Sequence, residues 1–287
     1  MREIAIISGK GGTGKTSISA AFSRFAASVV MIDADVDAAN QHIILQPDNF
    51  IENEYVGGEY AKINYSSCLA CGLCATYCRF DAIRQQKGTM IIEESACEGC
   101  KLCTHVCPAK SITMEEDRES RWYVGKIKNG VLFHARLAPG MDNSGKLVSL
   151  LRSEAKEYAK TNNKKLILID GSPGVGCPVI STITGVSKVA IVVEATQSAL
   201  HDLKRAVEIS REFHHIPDVI INKYSLNEKI SNEIENWCTD NELKVIGKIP
   251  FDPVFHKAVQ ARMPIPDFQP GHPVSKLLFE CWKSIIG

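Results

Sequence analysis

The sequence predicts an α/β protein: a mostly parallel sheet with helices on both faces, interrupted by a smaller inserted unit. Three observations lead there. Short apolar runs with the character of buried parallel strands alternate with helix-like segments along most of the chain. A glycine-rich stretch, Gly9-Lys10-Gly11-Gly12-Thr13-Gly14-Lys15-Thr16, lies between the apolar run 4–7 and the helix-like segment 17–27. The alternation then stops between 55 and 118, where eight of the 11 cysteines fall in two runs of identical spacing. The expected division is therefore 1–54, 55–118 and 119–287.

Composition narrows the classes. The 287 residues are 45% hydrophobic and 23% charged, as in an ordinary globular protein. Lys+Arg and Asp+Glu number 33 each, so the chain lacks the basic excess of a nucleic-acid binder. No apolar run approaches the roughly 20 residues of a membrane span, so stable membrane insertion is not expected. The chain enters its first strand at once, leaving no room for an export signal. Together with clustered thiols, this points to a reducing cytoplasm.

Strand, glycine-rich loop and helix make the context in which G-x-x-x-x-G-K-[ST] binds phosphate. Gly11, Gly12 and Gly14 allow turns that aim successive N–H groups, with those of Thr13 and Ser17, into one concavity. The helix that follows adds its positive end. Lys15 is spaced to reach the β- and γ-phosphates of ATP or ADP, and the Thr16 hydroxyl to reach Mg²⁺. The next apolar run, 29–33, ends in Asp33-Ala34-Asp35-Val36-Asp37-Ala38-Ala39-Asn40. Carboxylates at the C-terminal end of such a strand lie at the ligand crevice.

The interruption reads Cys68-x₂-Cys71-x₂-Cys74-x₃-Cys78 and then Cys97-x₂-Cys100-x₂-Cys103-x₃-Cys107. This resembles the run of bacterial two-cluster ferredoxins, in which three close thiolates grip one [4Fe-4S] cluster and the fourth serves the other. The pairing it implies is Cys68, Cys71 and Cys74 with Cys107, and Cys97, Cys100 and Cys103 with Cys78. Arg79 stands where Pro108 follows the second run. Zinc is the alternative, although zinc sites rarely use four cysteines at so tight a spacing, duplicated.

Beyond the interruption, residues 122–137 alternate around Asn129-Gly130, a hairpin signal expected to rejoin the sheet. The loop 139–146 opens a helix over 147–160, with Asn143 or Ser144 expected as its cap and an anion site as the other reading. The apolar run 166–169 ends in Asp170, followed by Gly171-Ser172-Pro173-Gly174, expected as a mobile loop, and by Cys177. Runs 189–193, 219–221 and 245–249 read as further strands, the last two reaching Asn222 and Pro250-Phe251-Asp252. Residues 274–286 have the spacing of a helix packed on the sheet, and Cys238 and Cys281 read as packing residues.

Lys10 adds a family. K-G-G-x-G-K-T resembles the deviant phosphate-binding loop of the MinD/ParA ATPases, relatives of the nitrogenase iron protein and the Mrp-type carriers. The combination is similar to MinD-superfamily ATPases carrying an inserted ferredoxin-like unit. The resemblance implies a Mg²⁺-dependent ATPase, with ATP sandwiched in a homodimer or in a heterodimer with a paralogous ATPase. Lys10 then acts on the partner's nucleotide, Asp35 positions the attacking water near Mg²⁺, and Asp170 stands near the Mg²⁺ shell. Asn222 meets the adenine edge, and Pro250 and Asp252 pack over the base. Two functions remain open: ATP-gated electron transfer to a redox acceptor, or ATP-dependent delivery of clusters or metallocofactors to a client. Cys177 belongs to the second, and a positioning ATPase with structural clusters is a third reading.

Overall fold

The computed structural model describes residues 1–116, 118–138 and 143–287. β1 (Arg2–Ser8) leads through the glycine loop into α1 (Lys15–Phe25), then β2 (Val29–Asp33), α2 (Gln41–Leu45) and β3 (Asp48–Glu54). A separate segment follows, with β4 (Glu59–Ile63), α3 (Leu73–Thr76), β5 (Ile83–Gln86), β6 (Thr89–Ile92), α4 (Leu102–Val106) and β7 (Ile112–Glu116). The hairpin β8 (Arg121–Ile127) and β9 (Gly130–Arg136) returns to the main sheet. Then come α5 (Ser144–Thr161), β10 (Leu166–Pro173), α6 (Cys177–Ile183), β11 (Lys188–Glu194) and α7 (Gln197–Glu212). β12 (Asp218–Asn222), α8 (Glu228–Asp240), β13 (Val245–Ile249), α9 (Val254–Gln260), α10 (Ile265–Phe268) and α11 (Pro273–Ile286) complete the chain.

The main sheet runs β13-β12-β11-β1-β10-β2-β9-β8-β3. Pairing is parallel from β13 to β9 and antiparallel for β8 and β3. Period-two alternation divides its side chains between two cores. Ala5 and Ile7 face α5 to α8, whereas Ile4 and Ile6 face α1, α2 and α9 to α11. Helix α11 packs Val274, Leu278, Trp282 and Ile285 into the second core. Because the central strands are parallel, their carboxyl ends emerge along one edge, and the glycine loop, Asp33, Asp170, Glu194 and Asn222 gather there.

The segment between β4 and β7 has its own pairings, β4 with β7 and β5 with β6, and a small core around Ala61, Ile63, Ile83, Met90 and Ile112.

Two expectations change, and one strand was not expected at all. Strand β3 is an exposed edge strand, so no apolar alternation marks it. Gly171, Ser172 and Pro173 belong to β10 rather than to a loop, because β10 continues beside β1 through an irregularity near Ser8. Asn143 holds the N-cap position of α5, but its side chain donates to Gly57 O at 2.8 Å instead of capping. The preceding expected loop residues, Pro139, Gly140, Met141 and Asp142, lie outside the described residues.

Candidate nucleotide site and cysteine hollows

Helix α1 starts at Lys15, and Gly14 before it is left-handed, φ 88°. A side chain at Gly14 would also collide with the Asn222 amide, so glycine is required twice over. A Cβ on Gly9 would lie 2.5 Å from Asp202 O, which holds the loop against α7. Inside the loop, Thr13 Oγ1 is buried without a hydrogen-bond partner. An orphaned hydroxyl within a glycine-rich loop at a helix N-terminus fits a phosphate-bearing ligand.

Lys15 Nζ lies 2.7 Å from Asp170 Oδ1, both side chains buried. Asp170 Oδ2 accepts from Gln41 Nε2 at 3.0 Å. The same amide nitrogen donates to Thr16 O at 3.0 Å and Ser19 Oγ at 2.7 Å. Asp33 accepts the backbone N–H of Asp35 (3.2 Å), Asn40 (3.0 Å) and Gln41 (2.9 Å). Burial, and then the charge of Asp170, push the Asp33 carboxyl up to about 7. Burial also raises Asp35, against the pull of Lys15. Asp33, Asp35 and Asp170 thus crowd one lysine. Carboxylate oxygens are the donor type Mg²⁺ takes, with water and phosphate completing its shell, and among the described residues no three of them converge on one point.

Lys10 turns inward. Its Nζ lies 2.6 Å from Glu194 Oε1 and donates to Thr196 Oγ1 at 2.8 Å. Glu194 Oε2 also holds Lys223 at 2.9 Å, and Lys223 donates to Gly12 O at 2.7 Å. The two lysines hold the Glu194 carboxyl below its usual range, overcoming its partial burial.

The residues expected at the base are engaged elsewhere. Asn222 is buried, its Nδ2 donating to Thr13 O at 2.7 Å and its Oδ1 accepting from Lys223 N at 3.0 Å. It props the loop from behind Gly14. Asp252 accepts Val254 N at 2.8 Å, at the start of α9. Gln41, Glu194 and Lys223 were not foreseen as functional residues. Their roles arise from chain segments meeting in space, and Gln41 follows Asp33 by eight positions with no recognised motif.

The two cysteine runs cross over. Cys68, Cys71, Cys74 and Cys107 line one hollow. Cys78, Cys97, Cys100 and Cys103 line another. Backbone N–H groups already point at three sulfurs: Ala70 at Cys68 (3.4 Å), Ala61 at Cys97 (3.4 Å) and Ser111 at Cys107 (3.3 Å). Burial pushes Cys103 up to about 11 and also raises Cys74, so as free thiols they hold their protons. Among the described residues, no three His, Cys, Asp or Glu side chains are arranged to hold a single ion. An all-thiolate set of four around a hollow, with N–H donors on sulfur, fits an iron–sulfur cluster. Cys177 is exposed at the start of α6, whereas Cys238 and Cys281 are buried.

Residues 4–265 match the family described as the CobQ/CobB/MinD/ParA nucleotide binding domain. The chain belongs to that family. An uncharacterized protein of Methanocaldococcus jannaschii is 34% identical over 253 residues, 87% of this chain and 84% of the relative. The Escherichia coli protein YsaA, which bears an electron-transport name, is 29% identical over 97 residues, 33% of this chain and 60% of its own length. Pyrococcus horikoshii MinD, solved with Mg-ADP, superposes with a TM-score of 0.59 at 17% identity, covering 99% of this chain and 95% of that one. The fold is that of MinD.

As a MinD/ParA-type ATPase, the chain has ATP or ADP and Mg²⁺ as its expected ligands, and the geometry gives each residue a chemical task. Lys15 is tied to Asp170, so a phosphate in the loop would compete with that carboxylate for its Nζ. Gln41 ties the segment after β2 to both Asp170 and the loop. Among the described residues, no helix is long and apolar enough to cross a membrane.

Proposed function

We propose that this ATPase couples a nucleotide-dependent dimer to electron transfer through two [4Fe-4S] clusters. Cys68, Cys71, Cys74 and Cys107 would hold one cluster, and Cys97, Cys100, Cys103 and Cys78 the other. The observation that carries the reading is the pair of hollows, each lined by three cysteines of one run and the last cysteine of the other. Such clusters supply one-electron transfer at potentials tuned by hydrogen bonds to sulfur. The electron-transport name of YsaA supports the same direction.

The chain's own residues supply the gating. Lys15 and the loop N–H groups would bind phosphate, and Thr16, Asp35 and Asp170 would hold Mg²⁺, which would supply charge neutralisation for the phosphates. Asp35 directs the attacking water. Lys10 leaves Glu194 to reach the nucleotide of a second protomer, identical or paralogous. Dimer closure then controls docking of a redox acceptor.

The test is anaerobic. Purified protein is expected to carry about eight iron atoms and matching acid-labile sulfide, as two cubanes require. Dithionite-reduced protein is then mixed with a low-potential acceptor dye and Mg-ATP, Mg-ADP or no nucleotide. Faster oxidation with ATP alone is the expected result. Equal rates under all three conditions would falsify gated transfer. Exposed Cys177 favours a second reading, delivery of clusters to a client. ATP-dependent movement of labelled iron to an apo-ferredoxin, lost in Cys177→Ser, is the result that would favour it.

A further inference from the structure

A cavity of about 780 Å³ opens beside the segment 36–39, lined by residues of α2, β3, β8 and β9. That is the size of a small-molecule site. Three rings stack along its wall: His42 on His134 with centroids 5.0 Å apart, and His134 on Tyr123 at 4.9 Å. Phe50 stands edge-on to Tyr123 at 6.1 Å. Asp48 and Glu52 add carboxylates, Glu52 sharing its charge with Arg121 at 3.2 Å, and Arg136 is the cation on the lining.

The two imidazoles are the unexplained groups. His134 is only 9% exposed, and its contacts among the described residues are ring stacking rather than hydrogen bonds. His42 Nδ1 is buried without a partner. Burial pushes His134 down to about 4 and also lowers His42, so both rings are neutral near pH 7 and each keeps an acceptor nitrogen. A ring nitrogen buried without a partner, as His42 Nδ1 is among the described residues, costs stability unless something satisfies it. Their planes are nearly parallel, 13° apart, so their in-plane lone pairs do not converge on one metal ion. Acceptors and aromatic faces therefore dominate the cavity, and its complement is a donor that carries positive charge.

We propose that this cavity is an effector site for an organic cation, a primary amine, received by Asp48 and one of the two imidazoles with its charge beside the ring of Tyr123. Its occupant reports to the nucleotide site through α2. His42 adjoins Gln41, whose backbone N–H meets Asp33 and whose amide meets Thr16 O and Asp170. Fixing α2 fixes Gln41, and with it the loop and the carboxylates that take the nucleotide. Linkage then requires the amine and the nucleotide to change each other's affinity by one common factor. The inference rests on the ATPase and not on the iron–sulfur reading.

The amine has two possible sources, a free polyamine or a lysine side chain of a partner protein. Calorimetry on the full chain without nucleotide, using spermidine and an acetylated Gly-Lys-Gly amide as probes, separates them. Saturable one-to-one binding of either probe is expected, and the tighter one names the source. The Asp48→Asn, Tyr123→Leu double variant should weaken that binding at least about 10-fold, since both a charge contact and a cation–π contact are lost. Asp48→Asn alone, at an exposed position, gives a smaller loss in the same direction should the double variant melt early. The tighter probe should shift the affinity for ADP, and Gln41→Ala should remove that shift while amine binding persists. The proposal is overturned if neither probe saturates, if the variants bind as wild type does, if the fully N-acetylated probe binds equally well, or if ADP affinity is unmoved.

Discussion

The nucleotide site and the cysteine-bearing segment solve opposite problems. The first stands on a nine-stranded sheet between two large cores, and its charged groups already pair within the protein. Lys15 has Asp170, Asp33 has three backbone N–H groups, and Lys10 has Glu194. A ligand there exchanges partners in a fold that stands without it. The second has two short two-stranded pairings and a core of a few side chains, one of them Cys74. So small a core rarely holds a fold alone, and ligation free energy becomes folding free energy. The contrast teaches that nucleotide would act on this protein as a switch, and that clusters would act as staples.

The largest expected effect tests that contrast directly. Chelating iron from anaerobic protein should abolish hydrogen-exchange protection in β4 to β7 and leave β1, β10 and β11 protected. Mass spectrometry of peptide exchange measures both regions in one sample. Equal protection before and after chelation would mean that the segment folds on its own side chains.

Next comes Lys15. Lys15→Ala should lower ADP affinity more than about 100-fold, because a charge aimed at the phosphates is lost. It should also cost the nucleotide-free protein about 3 kcal/mol, because Asp170 is left as a buried, uncompensated charge. Lys15→Met with Asp170→Leu should recover the stability and not the affinity. Urea melts and ADP titrations of the two variants separate switch from scaffold.

Lys10 ranks third. Freed by Glu194→Gln, it should raise the ATP-trapped dimer fraction by about fivefold, the weight of a partly exposed ion pair. Lys10→Ala should keep nucleotide binding and slow turnover by about 100-fold. Light scattering and phosphate release measure these, and a Lys10→Ala protein turning over at the wild-type rate would remove the case for a shared site.

What the sequence could disclose follows from where each signal lies. The glycine loop, Asp33, Asp170 and the two cysteine runs are local patterns whose spacing carries their chemistry, so they were readable in advance. The parallel core was readable because strands buried on both faces, such as β2 and β12, are apolar throughout. Strand β3 was not, since an exposed edge strand such as Asp48–Glu54 needs no apolar side. Gln41 and Glu194 were invisible for another reason. A glutamine bridging Thr16 to Asp170, or a glutamate tethering Lys10, acquires its role only when distant segments converge.

The smallest expected effect lies at His134, between the two regions on β9. Its folded pKa, about 4, is below the ordinary 6.5, because burial and then His42 disfavour the imidazolium. The unfolded chain therefore binds the proton more readily, so the stability from keeping this ring neutral is complete above about pH 6.5. That stability is lost as pH falls from 6.5 toward 4. By pH 4.5 the loss should be about 2 kcal/mol. His134→Phe keeps a planar ring in the stack between His42 and Tyr123 without a titrating nitrogen. Its urea midpoint should fall less than that of wild type between pH 7 and pH 4.5, while carboxylates elsewhere affect both proteins alike. Parallel curves would mean that water or a neighbouring carboxylate already holds the proton on this ring, and that His134 is less isolated than its burial implies.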